Sequence, residues 1–363
     1  MSHSDTPRAP AAAGRLVAAV AFLAGGAAAL LVLGFFGLWG YAFTPGPTAE
    51  RQVMVAPGSS VGGIRRLLAA EGVVPDDRRF EALALLMGVA GRLRAGEYRI
   101  PASATPYEVL ELLARGDTVL HRITIPEGST MIEIADWLAA AGIVDRDAFL
   151  ALCRDAEFCR SLGVAAPSLE GYLFPDTYRF ARRSDPRRVI TVMVRQGERV
   201  WRELTADRPP AMDRHAVLTL ASIVEKETGV AAERPLVAGV FLERLRRGMR
   251  LQADPTVIYG LGAFSRPLTR RDLEADTPYN TYRYAGLPPG PIANPGRAAI
   301  ASVLQPRTGY LYFVSRNDGT HEFSATLREH NRAVRKYQRR RNGKSLNKRK
   351  RVVRRDDATE AEQ

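Results

Sequence analysis

The chain has 363 residues, of which 46% are apolar, enough for one large core or two to three ordinary domains. Its net charge of +13 is concentrated at the C-terminal end: from Arg332 onward there are 13 Lys/Arg against 4 Asp/Glu, which leaves about +4 for everything before. The basic balance therefore describes mainly a tail, and two cysteines with five scattered histidines offer no metal-ligand spacing.

In chain order, residues 1–15 form a short head carrying Arg8 and Arg15 against Asp5. Residues 16–43 follow without a single charged side chain, long enough for a membrane-spanning helix, with Trp39 and Tyr41 at the end where aromatic rings favour the interface. The run exceeds the apolar core of a cleaved signal peptide, so it reads as an anchor. The positive-inside rule keeps the N-terminus in the cytoplasm and exports the rest. Thr44 to Pro47 opens a linker that runs to residue 50.

An internal duplication comes next, at an offset of 70 residues. VMVAPGSSVGGIRRLLAAEGVV (53–74) matches ITIPEGSTMIEIADWLAAAGIV (123–144) at eight of 22 positions, among them Gly58/Gly128, Ile64/Ile134, Leu68/Leu138 and Gly72/Gly142. Each copy predicts a short strand, a Gly-Ser turn that caps a helix, an amphipathic helix and a closing glycine. With Gly96–Ile100 and the helical pattern of Pro106–Leu113, residues 50–120 predict a small α+β module, either a spacer or a carbohydrate-binding unit.

Residues 145–165 predict helix and carry Cys153 and Cys159, which an oxidising compartment could pair or leave as thiols. Helices are predicted near 186–204, 211–228, 233–247 and 296–304, a strand at Tyr310–Ser315 and a final helix at Ala325–Tyr337. They alternate with irregular stretches rich in Pro, Gly, Tyr and Asn. Residues 338–363 have almost nothing to bury and predict a disordered basic tail.

Within 211–228 the apolar stripe is Val217, Leu220, Ala221 and Val224. Lys226 points away from it, while Glu225 and Glu227 lie on its two flanks. Either carboxyl is placed for partial burial, which raises its proton affinity toward that of a general acid, and helix geometry alone does not rank them. The alternative is that both are solvated partners of Lys226 and Arg234. LEGYLFPDTY (169–178), QADPTVIY (252–259) and TPYNTYRYAGLPPGPIANPG (277–296) combine carboxylates, amides and tyrosines in Pro/Gly frames. Sugars need such surfaces, an apolar face to stack on and partners for hydroxyls.

These stretches, with ASIVEKET (221–228), YLYFV (310–314), His321 and EHN (329–331), resemble the endolytic murein transglycosylases of the YceG-like family over roughly residues 50–337. Ala253 departs from the Thr or Ser expected there. The resemblance implies a LysM-like module at 50–120 and a mixed α/β catalytic domain at 121–337, with lysozyme-like helices around the acid. It assigns the catalytic acid to Glu225, the first glutamate of VEKE. Glu170, Tyr172, Asp176, Tyr178, Gln252, Asp254, Tyr279, Asn280, Tyr282 and Asn294 become groove-shaping or substrate-binding residues. The implied reaction cuts the β-1,4 bond between N-acetylmuramic acid and N-acetylglucosamine in nascent peptidoglycan. The muramoyl 6-hydroxyl is its own nucleophile, so 1,6-anhydro ends form without cofactor or metal. The implied setting is the bacterial inner membrane, with a periplasmic catalytic domain, peptidoglycan synthases as partners and no nucleic acid. Competing readings are a lysozyme-type hydrolase on the same bond and a membrane-tethered peptidoglycan-binding module.

Overall fold

The computed structural model describes residues 11–338 apart from 208 and 265, with side chains from residue 20. The expected head, up to residue 10, and the tail from 339 lie outside the described residues. The chain folds as two compact units, Met1–Leu120 and His121–Gln363. Both mix helix and sheet.

The first unit begins with helix α1 (Ala11–Ala42), whose segment Val20–Ala42 is long and apolar enough to cross a membrane. Strand β1 (Arg51–Val55), helices α2 (Val61–Ala70) and α3 (Arg79–Leu86), strand β2 (Gly96–Ile100) and helix α4 (Pro106–Arg115) complete it. β1 and β2 pair antiparallel, with Val53 opposite Tyr98. Their inward side chains join Ile64, Leu68, Phe80, Leu110 and Leu113 in one core, which also takes in Tyr41 and Ala42 from the end of α1. The expected linker is therefore built into the module. Ser103 donates to the Pro47 carbonyl at 2.7 Å, and a Cβ on Gly46 would collide with the Ala104 carbonyl.

The second unit comprises β3 (His121–Thr124), α5 (Met131–Ala140), α6 (Arg146–Cys153), α7 (Ala156–Ser161), β4 (Thr177–Phe180), α8 (Pro186–Thr205), α9 (Arg214–Glu227), a 3-10 turn (Ala231–Glu233), α10 (Arg234–Arg246), α11 (Asp254–Leu261), α12 (Arg270–Leu273), α13 (Arg297–Leu304), β5 (Tyr312–Ser315), β6 (His321–Ser324) and α14 (Leu327–Tyr337). Among its described residues the sheet content is two antiparallel pairs, β3 with β4 and β5 with β6. The strand expected at 310–315 thus has a partner, and residues 254–261, expected to be irregular, form a helix. α9 runs through the middle of the core and packs on α10, α11 and α13. Cys153 and Cys159 are free, buried thiols, and burial pushes both above the usual thiol range.

The duplication is real in three dimensions. Ser60 and Thr130 cap α2 and α5 by accepting from the third helical N–H. Gly58 and Gly128 turn at φ 76° and 75°, and Gly72 and Gly142 close the helices at 67° and 68°. Only glycine takes that left-handed backbone without strain. The second copy adds a reciprocal capping box, in which Glu133 accepts from the Thr130 N–H at 2.8 Å. Thr130→Ala should cost about 1 kcal/mol of stability, read as a lower urea midpoint at unchanged slope.

Candidate active site

The last turn of α9 carries Glu225, Lys226 and Glu227. The helix is capped by Asp213, which accepts from the Ala216 N–H at 2.9 Å. Its apolar residues Val217, Leu220, Ala221 and Val224 are buried, so its end is held firmly at the edge of the core.

Glu225 has a side chain only 5% exposed and is bonded at both carboxyl oxygens. Oε1 accepts from Arg234 Nη2 at 2.7 Å, and Oε2 from the Gly296 N–H at 2.9 Å. Burial raises its proton affinity. The Gly296 N–H and the Arg234 and Lys226 charges oppose that, Glu127 reinforces it, and the net direction is upward. The second copy of the duplicated turn closes over this group. Lys226 Nζ donates to the Gly128 carbonyl at 3.2 Å, and a Cβ on Gly128 would stand 3.3 Å from Glu225 Cγ. In the first copy the space beside the equivalent Gly58 is open.

Glu227 differs. Its Oε2 is sealed from solvent with no hydrogen-bond partner. Burial pushes the carboxyl up to about 7, the Asp254 charge adds to the rise and Arg244 opposes it. Arg244 offers no close pairing in compensation, because its Nε and Nη1 donate to the carbonyls of Leu311 (2.9 Å) and Leu251 (2.6 Å). Oε2, sealed from solvent, is equally closed to a sugar, so the raised proton affinity of Glu227 reflects its burial.

The ten other expected residues fall into two groups. Five are interior. Glu170 Oε1 accepts from the Met131 N–H and from Asn294 Nδ2, both at 3.0 Å, and Oε2 accepts from the Tyr259 hydroxyl at 3.2 Å. Burial nevertheless raises Glu170 to about 7. Asn294 also binds the Leu173 N–H and the Ser129 carbonyl, each at 2.9 Å. The Tyr172 hydroxyl meets His215 Nδ1 at 2.9 Å, and the Tyr178 hydroxyl donates to the Phe174 carbonyl at 2.6 Å. Asn280 folds its own loop, donating to the Leu273 and Ala275 carbonyls and accepting from the Tyr282 N–H.

The other five reach solvent wholly or in part. Asp176 accepts from Gln196 Nε2 at 2.7 Å. Gln252 is exposed, on backbone at φ 54°. Asp254 opens α11 and accepts from the Tyr282 hydroxyl at 2.6 Å. The Tyr279 ring packs on Tyr259 with centroids 4.9 Å apart. Ala253, at the N-cap of α11, has no side-chain oxygen to cap it. Instead its own N–H donates to Thr281 Oγ1 at 3.0 Å.

Sequence reasoning did not single out Glu127, Tyr259 or the Gly128–Ser129 turn as part of this region. The duplication was the available signal for the turn. Of the two glutamates of α9, Arg234 pairs with Glu225, while also lying 3.7 Å from Glu127, and the pair is buried where the sequence allowed a solvated one. That burial depends on the fold of the α9–α10 corner, which motif spacing does not encode.

A helix that ends in two carboxyls driven toward their protonated forms, beside loops of tyrosine, aspartate and amide side chains, carries the kinds of group that acid–base chemistry on carbohydrate uses. The chain belongs to the YceG-like family, whose model matches residues 53–336. It is 33% identical over 307 residues to the endolytic murein transglycosylase of Bacillus subtilis (strain 168), covering 79% of this chain and 84% of that one. It is 29% identical over 316 residues to the protein of the same name from Streptococcus pneumoniae serotype 2, covering 78% of this chain and 57% of the longer relative. The crystal structure of a YceG-like protein from Listeria monocytogenes is also similar, with a TM-score of 0.53 at 34% identity, covering 79% of this chain and 99% of that one.

Proposed function

We propose that this chain is an endolytic murein transglycosylase, a lyase that cuts the β-1,4 bond between N-acetylmuramic acid and N-acetylglucosamine within nascent glycan strands and so ends their elongation. The names of the bacillary and pneumococcal relatives support this. The observation that carries it is the buried Glu225 carboxyl at the end of α9, bonded at both oxygens to Arg234 and the Gly296 N–H and raised in proton affinity.

One carboxyl suffices for the chemistry. It gives its proton to the leaving oxygen as the glycosidic bond breaks. The resulting carboxylate then takes the proton of the muramoyl 6-hydroxyl, whose oxygen bonds to the anomeric carbon. No water is consumed, and the carboxyl is protonated again at the end.

The family resemblance assigns this role to Glu225. The surroundings of Glu225 support this, because Arg234 and the Gly296 N–H orient its two carboxyl oxygens, whereas Oε2 of Glu227 is sealed from solvent and so from a sugar. In that reading Glu227 supports the end of α9 from the interior. Asp176, Gln252, Asp254, Tyr279 and Tyr282 then meet the sugars, and Glu170, Tyr172, Tyr178, Asn280 and Asn294 hold the walls.

The proposal extends to the setting. Residues 16–43 anchor the chain in the inner membrane, with a cytoplasmic head at 1–15. Residues 50–120 form a LysM-like module, 121–337 the periplasmic catalytic domain and 338–363 a basic tail. Peptidoglycan synthases are the partners expected of an enzyme that acts on nascent strands.

The test is the product. The detergent-solubilised chain, incubated with purified glycan strands, should release fragments ending in 1,6-anhydromuramic acid by mass spectrometry. Reducing ends, one water heavier, would make it a hydrolase. Strand binding without cleavage would make it a tethered binding module.

A further inference from the structure

α3 carries apolar side chains on both its inward and outward faces. Phe80, Leu83 and Ala84 point into the core of the first unit, yet Leu85 and Leu86 are 70% and 69% exposed. Isolated exposed leucines are ordinary on a protein surface. These two differ in their place. α3 packs directly on α1, and its first residue, Arg79, lies 4.7 Å over the ring of Tyr41 at the end of the membrane-spanning segment.

The join between α1 and the module is rigid. Tyr41 and Ala42 are each 3% exposed and belong to the module's own core, Leu38 packs against that core, and Phe43 stacks on Tyr107 of α4 at 5.8 Å. Residues that follow are pinned through Gly46 and Pro47. If α1 spans a bilayer, the helices that contact its last turns have no slack with which to stand away from the surface. On α3 the residues turned outward are Ala82, Leu85 and Leu86, with Arg79 one to two turns before them. That face is apolar, and the Arg79 guanidinium at its edge is held beside Tyr41 by Asp77 at 2.7 Å, which ties the start of α3 to the end of the spanning segment. Two leucines exposed on a helix fixed in this way to a membrane-spanning one are placed to enter the acyl boundary.

We propose that the outward face of α3, centred on Leu85 and Leu86, is a second membrane contact that lies in the headgroup–acyl boundary of the bilayer entered by α1. This rests on the anchored reading of residues 16–43. It makes the first unit a seated collar around the helix exit, oriented on the membrane by two helices.

The full chain would be reconstituted in nanodiscs of phosphatidylglycerol and phosphatidylethanolamine, with an environment-sensitive fluorophore on Leu86→Cys or, as reference, on Phe36→Cys within the span. Cys153 and Cys159 are buried, so labelling of the parent chain supplies the background. The expected result at Leu86 is blue-shifted emission, quenching by lipids spin-labelled near the headgroup and protection from aqueous iodide. A Leu86 label with water-like emission, open to iodide and unquenched by lipid, while Phe36 is lipid-quenched, would overturn the proposal alone. A Phe36 label unquenched by lipid would instead remove the anchored reading.

Discussion

Glu225→Gln should lower the rate of anhydro-end formation by about 10²–10⁴-fold, the usual contribution of a positioned general acid–base. The amide keeps the shape but cannot supply the proton. Because the protonated carboxyl is the acid, kcat/KM should fall with rising pH at a point above the usual carboxylate range, since burial pushes Glu225 upward. Glu227→Gln should do less to the chemistry, because its Oε2 is sealed from solvent. A full loss in Glu227→Gln with near-normal turnover in Glu225→Gln would move the role of acid to Glu227.

Glu227→Gln should stabilise the fold, and the sign follows from linkage. The folded-state value of Glu227 lies above its ordinary value of 4.5. The native state therefore holds its proton more tightly than the unfolded chain, and the stability tied to that proton is complete below about 4.5 and lost as pH rises through about 7. At roughly 1.4 kcal/mol per pH unit, the rise from 4.5 to about 7 makes the native carboxylate cost about 3–4 kcal/mol at alkaline pH. Glu227→Gln should be more stable than wild type by about that amount at alkaline pH and equal to it in acid, by urea melts at both extremes. Equal stability at both would mean that Oε2 finds a partner in solution.

Asn294→Ala should be the most damaging single change to the scaffold of the site. Its carboxamide accepts from the Leu173 N–H and donates to the Ser129 carbonyl and to Glu170 Oε1, all buried. Alanine leaves the Leu173 N–H without that acceptor and takes a donor from a carboxyl that burial has already raised to about 7. The expected loss is about 2–4 kcal/mol, or roughly 5–15 °C in Tm for a unit of this size. Activity should fall with it, because the Asn294 backbone pairs with Gly128 and Ser129 (2.9 and 2.8 Å), in the turn that closes over Glu225. Asn294→Asp should be worse at neutral pH than in acid, since it sets a second carboxylate beside Glu170. A Tm within about 2 °C of wild type for Asn294→Ala would show that water replaces the carboxamide.

Local pattern carried much of this protein. The charge-free run to Phe43, the repeated Gly-Ser turns and closing glycines, and the amphipathic order of α8 and α9 are consequences of short-range rules. A helix must bury one face, a left-handed turn favours glycine, and a spanning segment cannot expose charge to lipid. The motifs at 169–178, 221–228, 251–260 and 278–296 were visible too, and with them the family. Where each motif residue stands relative to solvent was not. Asn294 and Tyr282 sit in one Tyr/Asn-rich stretch, yet one is locked in the interior and the other reaches the surface beside Asp254.

The ordering of the two glutamates was the furthest from reach. Glu225 and Glu227 are equivalent by helical angle, each about 80° from the middle of the apolar stripe. Their difference lies in what other elements deliver. α10 and the loop before α13 bring Arg234 and Gly296 to one, while the other meets only the Asp254 charge and an Arg244 already committed to backbone carbonyls. Residues nine to 71 positions away in sequence set the proton affinity of each carboxyl. The sequence by itself determined which side chains could serve as the acid. Only the tertiary structure decided which of them is left without a competing donor, because burial and pairing are properties of packed neighbours, not of the helix that carries the group.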